Sequence, residues 1–127
     1  MRLPIATAAI FLMFYGAARA ELPSAHDDAV SRALVSGKPV VIDLGARTCI
    51  PCKKMAPILE SLSKEYRGKA SVLFIDVHEN RGAADKFRIQ MIPTQIFFNA
   101  RGKEVKRHIG FMEKTEMVNA LRAAGVK

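Results

Sequence analysis

The chain has 127 residues, half of them apolar, with 20 Lys and Arg against 12 Asp and Glu, two cysteines and no tryptophan. That length holds one small domain and not two separate cores. The bases are spread along the chain, the densest run (Arg101 to Arg107) is broken by Gly102, Glu104 and Val105, and aromatics are few. A nucleic-acid partner is therefore not expected; the charge reads first as a solvated basic surface, and as a binding feature it suits acidic partner proteins or anionic lipid headgroups.

The first twenty residues read as an export signal. Arg2 gives a positive start, Leu3 to Ala18 is an apolar stretch broken only by Pro4, Thr7 and Gly16, and Ala18-Arg19-Ala20 offers small residues at a cleavage site. The expected division is a signal peptide over 1–20 and one domain over 21–127, which leaves 18 bases against 12 acids in the mature chain. The apolar run is somewhat short for a spanning helix, which needs about 20 residues. An uncleaved anchor is the alternative.

Ser24-Ala25-His26-Asp27 reads as a helix start with Ser24 as cap, and Gly37 as the stop. Val40 to Leu44 is a short β-branched run, the pattern of a buried strand. A helical pattern follows from about Cys49 to Tyr66, with Met55, Ala56, Leu59 and Leu62 at steps of three and four. Pro57 lies inside that helix and Gly68 ends it. Ser71 to Val77 is a second buried strand, and Asn80 caps a short helix to about Arg88. Thr94 to Phe98 and Glu104 to Ile109 form a hairpin around Ala100-Arg101-Gly102. Glu113 to Ala124 closes the chain as a helix with Met117, Val118 and Leu121 on one face. The expected architecture is α/β, a mixed four-stranded sheet made of a parallel pair and a C-terminal antiparallel hairpin, with helices on both faces.

Both cysteines lie in Cys49-Ile50-Pro51-Cys52. Two thiols so spaced can close a small disulfide ring on a helical turn. Cys49 falls where a strand ends and a helix begins, and there unpaired N–H groups and the helix dipole favour a thiolate, the reactive form. A ring this small removes little entropy from the unfolded chain, so it is a poor structural staple. An exposed, reducible bond suits catalysis instead.

With these residues in hand, the mature chain resembles thioredoxin over essentially its whole length. The resemblance rests on Asp43 six residues before the first cysteine, the Cys49-Ile50-Pro51-Cys52-Lys53 motif, Pro57 in the same helix, Ile92-Pro93-Thr94 opening the third strand, and Gly110 after the fourth. It implies Cys49 as attacking and Cys52 as resolving cysteine, linked as a redox disulfide, and Asp43 as the buried acid that exchanges a proton with Cys52. It also implies a cis peptide before Pro93, with Ile92, Pro93, Thr94, Ile50 and Pro51 meeting substrate. No further cofactor is implied.

Some positions depart from the family. Gly45 and Thr48 stand where aromatics usually flank the motif, the lysine that neighbours the buried acid looks like Val72, and isoleucine replaces the glycine between the cysteines. The histidine that strongly oxidising relatives carry inside the motif is missing. Without its stabilisation of the thiolate the disulfide is harder to reduce, which leans towards reductase.

His26, His78 and His108 share no ligand spacing, and two cysteines alone do not complete a zinc site. The expected function is an exported thiol–disulfide oxidoreductase reducing protein disulfides in the periplasm, as a monomer recharged by a membrane-embedded electron donor. The alternatives are a net oxidant or isomerase, or a non-enzymatic module holding copper or zinc on its two thiolates.

Overall fold

The computed structural model describes residues 21–127. The expected export signal over 1–20 lies outside the described residues. The elements follow as α1 (Asp27–Leu34), β1 (Val40–Gly45), α2 (Ile50–Glu65), β2 (Ser71–Asp76), α3 (Arg81–Lys86), β3 (Thr94–Phe98), β4 (Glu104–Ile109) and α4 (Lys114–Ala123). The sheet order is β2-β1-β3-β4, with β1 parallel to β2 and antiparallel to β3, and β3 antiparallel to β4. The mixed α/β architecture expected from the sequence is the one observed.

Alternation along the central strands sorts the core into two layers, because successive side chains leave a strand on opposite faces. Val40, Ile42, Leu44, Ile75, Ile96 and Phe98 pack towards α1 and α3 with Val30 and Ala83. Val41, Val72, Phe74 and Phe97 pack towards α2 and α4 with Met55, Leu59, Leu62, Met117 and Leu121. Strands β1 and β3 are buried throughout and β4 is exposed at every residue but the half-buried His108, so the middle of the sheet is sealed on both faces.

Two helix starts differ from the sequence reading. Ser24 does not cap α1; His26 occupies that position. Ser24 instead bridges to Phe74, its Oγ accepts the Asp76 N–H at 2.9 Å, and the Ala25 N–H donates to the Phe74 carbonyl at 2.7 Å. β2 lies at the edge of the sheet, and its unpaired groups recruit the incoming chain before it can turn into a helix. Asn80 precedes α3 as expected, yet its side chain donates to Asp27 Oδ1 at 3.0 Å and caps nothing. At α4 the expected start holds, with Glu113 and Glu116 forming a reciprocal capping box.

Candidate active site

The site sits at the end of the sheet where β1 stops and α2 starts. Cys49 is the residue before the first helical turn, extended at φ −84° and ψ 126°, and its carbonyl accepts the Lys53 N–H at 2.9 Å. Ile50 and Pro51 begin the helix, where a proline loses no hydrogen bond because the first N–H groups have no partner within the helix. Cys49 is half-buried, whereas Cys52, one turn further in, is only 5% exposed. The two are joined as a disulfide with their Cα atoms 5.1 Å apart. Ring, helix start and unequal exposure place the outer sulfur where the N–H groups and dipole of α2 favour a thiolate.

Gly45 makes the inner position possible. A Cβ on Gly45 would stand 3.1 Å from Cys52 Sγ and 3.5 Å from the Phe74 ring, so the strand backbone itself forms the wall behind the inner sulfur. The absence of a side chain there is therefore a packing feature and not just a lost aromatic.

Asp43 lies two residues before Gly45 on the same face of β1 and is fully buried. Burial pushes its carboxyl up to about 6, against a smaller downward pull from the Gln95 side chain. Gln95 Nε2 donates to Asp43 Oδ1 at 2.8 Å, and the ladder sets the two residues opposite each other. Among the described residues Asp43 Oδ2 and Gln95 Oε1 have no hydrogen-bond partner. Across the other ladder Asp43 faces Phe74, while Val72 pairs with Val41 two steps away. Val72 and Phe74 lie on one face of β2, so the position that looks like the family's lysine carries an apolar side chain here.

Sequence reasoning missed Gln95, Arg47 and Asp76. Gln95 carried one usable signal, a long polar side chain inside the otherwise apolar strand that follows Pro93. Arg47 lays its guanidinium over the Phe74 ring, 5.1 Å from the centroid, and donates to Glu21 Oε2 at 3.0 Å and the Leu22 carbonyl at 3.2 Å. With Cys52, Lys53 and Ala56 these groups line a small cleft behind the inner cysteine. Asp76 is buried at the end of β2 and accepts the N–H groups of His78, Arg47 and Glu79 at 2.8, 3.2 and 3.3 Å.

The Ile92–Pro93 peptide is cis. Thr94 pairs with Leu44, so Pro93 comes opposite Gly45 and hence beside the disulfide end of the sheet. The Pro93 carbonyl accepts the Gly110 N–H at 2.8 Å, and Thr94 Oγ1 donates to the Met91 carbonyl at 2.7 Å. Thr94 is buried and faces the α1/α3 layer through the strand alternation, so its side chain braces the turn. Ile92 is half-buried, and among the described residues its backbone makes no pairing to other backbone groups. Ile50 (71% exposed), Met91 (64%), Ile109 (57%) and Phe111 (36%) give this end of the molecule an apolar rim. Among the described residues no three His, Cys, Asp or Glu side chains gather as metal ligands, and no helix is long and apolar enough to cross a membrane.

A pair of one buried and one half-buried cysteine at a helix start, on a sheet of this order, defines a thiol–disulfide oxidoreductase. The thioredoxin family model matches residues 21–123. Thioredoxins of Staphylococcus aureus and Staphylococcus haemolyticus are 41% and 42% identical to the chain over 81 residues, covering 64% of it and 77% of each of them. Among solved structures, a mutant thioredoxin from Halobacterium salinarum superposes with a TM-score of 0.71 at 23% identity, covering 81% of this chain and 88% of that one. Chloroplastic thioredoxin z gives the same TM-score at 25% identity, covering 83% and 95%. The chain belongs to the thioredoxin family. Like the family, it acts on protein disulfides through a dithiol–disulfide cycle.

Proposed function

We propose that this is an exported reductant of protein disulfides, cleaved after Ala20 and working in the periplasm as a monomer. The observation that carries the mechanism is the asymmetry of the pair, with Cys49 half-buried at the start of α2 and Cys52 buried behind it against Gly45. In the reduced protein the Cys49 thiolate attacks one sulfur of a substrate disulfide. A mixed disulfide forms and the other substrate sulfur leaves as a thiolate. Asp43 takes the Cys52 proton, directly or through one water, as a buried acid with a raised pKa can near neutral pH. Cys52 then attacks Cys49 Sγ, the second substrate sulfur leaves, and two electrons have passed to the substrate as the Cys49–Cys52 disulfide closes.

Substrate approaches along the exposed Ile50, Pro51 and Met91, beside the buried Pro93, with the unpaired backbone of Ile92 available to an extended strand. The apolar stretch over 3–18 supports export. The lack of a histidine between the cysteines supports a low potential and so a reducing role. In an oxidising compartment the pair must then be recharged by a membrane-embedded donor.

Cys52→Ser should trap substrates as mixed disulfides on non-reducing gels while Cys49→Ser traps none; equal trapping by both would overturn the assignment. The redox potential of the purified mature domain decides direction, a value near that of strong oxidants replacing reductase by oxidant. Mass spectrometry of exported material should show a chain beginning at Glu21, and the intact N-terminus in membranes would establish the anchored form instead. Stoichiometric zinc or copper after purification would favour the metal-binding alternative.

A further inference from the structure

The segment that leads into the cis peptide is held from outside by a pair on β4. Helix α3 ends at Lys86, and the chain leaves it through Arg88 at φ +55°, the one non-glycine residue with positive φ among those described. The Arg88 N–H donates to Asp85 O at 3.1 Å and the Ile89 N–H to Ala84 O at 2.7 Å, the pattern of a helix closed by a left-handed residue. Glycine is the residue that takes this conformation freely; arginine does not. Something must hold it, and the released carbonyls need donors.

Arg107 supplies both. Its Nη1 donates to the Phe87 carbonyl at 2.7 Å and lies 3.5 Å from that of Arg88. Its other edge is locked by Glu104, with Nε to Oε2 at 3.1 Å and Nη2 to Oε1 at 2.7 Å. This is the two-pronged geometry that an arginine fork makes with a carboxylate and a lysine does not.

Residues three apart on a regular strand point to opposite faces, so this pair should not exist. A bulge creates it. Phe98 pairs with Glu104, Phe97 with Lys106 and Ile96 with Arg107, leaving Val105 as the extra residue. Glu104 and Arg107 therefore both emerge on the α1/α3 face, beneath the end of α3. Beyond Ile89 the chain has no regular structure until Thr94, and it passes through the exposed Met91 of the rim to the half-buried Ile92 and the buried Pro93. Arg88, Ile89, Gln90 and Thr94 share a shallow cleft with Arg107 and Ile109.

We propose that Arg107, oriented by Glu104, is a positioning residue that presents Met91–Pro93 to the disulfide-bearing substrate by clamping the left-handed turn at Arg88. The inference rests on the reading of Ile92 and Pro93 as substrate contacts. Arg107→Ala should raise KM for insulin, a disulfide-bonded protein, about tenfold, the size of one lost charge-assisted hydrogen bond. Its kcat and the rate at which dithiothreitol reduces the Cys49–Cys52 disulfide should be unchanged, and amide exchange at residues 89–92 should quicken. Arg107→Lys should not restore KM. Adding Arg88→Gly to Arg107→Ala should restore it, since glycine holds the turn unaided.

An unchanged KM with unchanged exchange overturns the clamp, as does a parallel fall in the dithiothreitol rate, which would mean general damage. Should Arg107→Ala not fold, Glu104→Gln loosens the fork while keeping the donor to Phe87, and the same readouts apply with a smaller rise in KM. A wild-type protein inert towards insulin would strike the proposed function, and exchange at residues 89–92 in the variants would then decide the clamp alone.

Discussion

Asp43 and Asp76 stand near the ends of neighbouring parallel strands, on the same face of the sheet and both buried, yet their surroundings drive them apart. Asp76 feels burial pushing its carboxyl up, but the backbone N–H groups of His78, Arg47 and Glu79 outweigh it and leave the group below the usual carboxylate range. Asp43 has one donor, from Gln95, and burial wins, raising it to about 6. Both side chains are shielded from solvent, but Asp43 lies deeper and Asp76 has more donors. One aspartate, Asp76, is thereby an anion at neutral pH that ties the β1–α2 loop to the β2–α3 turn. The other gains or loses its proton around pH 6 and is free to exchange it.

The largest effect that would break this contrast comes from Asp76. Asp76→Ala should cost about 3–5 kcal/mol of folding stability, because three inward-facing N–H groups lose their acceptor. Asp76→Asn should cost less, since one acceptor oxygen remains. Urea unfolding measures both, and an Ala variant within about 0.5 kcal/mol of wild type, the range of an ordinary surface substitution, would remove the staple role.

Asp43 should show the opposite linkage. The unfolded chain ionises near the ordinary 3.8 and the folded chain near 6. Stability from this group is therefore full below pH 4 and is lost as pH rises to about 6. Asp76, with its lowered pKa, loses stability as pH falls instead. Asp43→Asn removes the buried charge and should gain up to about 3 kcal/mol at pH 8, with no gain at pH 4. Unfolding curves at the two pH values test it; an equal effect at both would mean that Asp43 does not titrate in this range.

The same variant should still form the mixed disulfide through Cys49 but release product up to about 100-fold more slowly below neutral pH, the lower end of general-base assistance. The deficit should shrink as pH rises and the Cys52 thiol ionises by itself. Stopped-flow reduction across pH reads this directly, and an unchanged profile would leave Asp43 structural only. The smallest change is Gln95→Leu. It removes the donor that pulls the Asp43 pKa down, so the midpoint of the Asp43 carboxyl in an NMR titration should move upward. A midpoint that stays in place would detach Gln95 from the site.

The sequence alone determined the kind and order of the elements, because apolar periodicity, β-branched runs and turn residues act over a few neighbours. It also located Cys49, Cys52 and Pro93, since a motif and an X-Pro bond are local facts. Asp43 was legible as an acid ending an apolar strand. Which residues flank it was not. Gln95 went unseen because cross-strand neighbours depend on ladder register, which distant segments settle together. Ser24 left its expected cap for the free edge of β2, a competitor 50 residues away in the chain. The Glu104–Arg107 fork exists only through the bulge at Val105. Local chemistry wrote the elements and the reactive pair; packing chose their neighbours, and the neighbours set the charge, the proton and the shape of the rim.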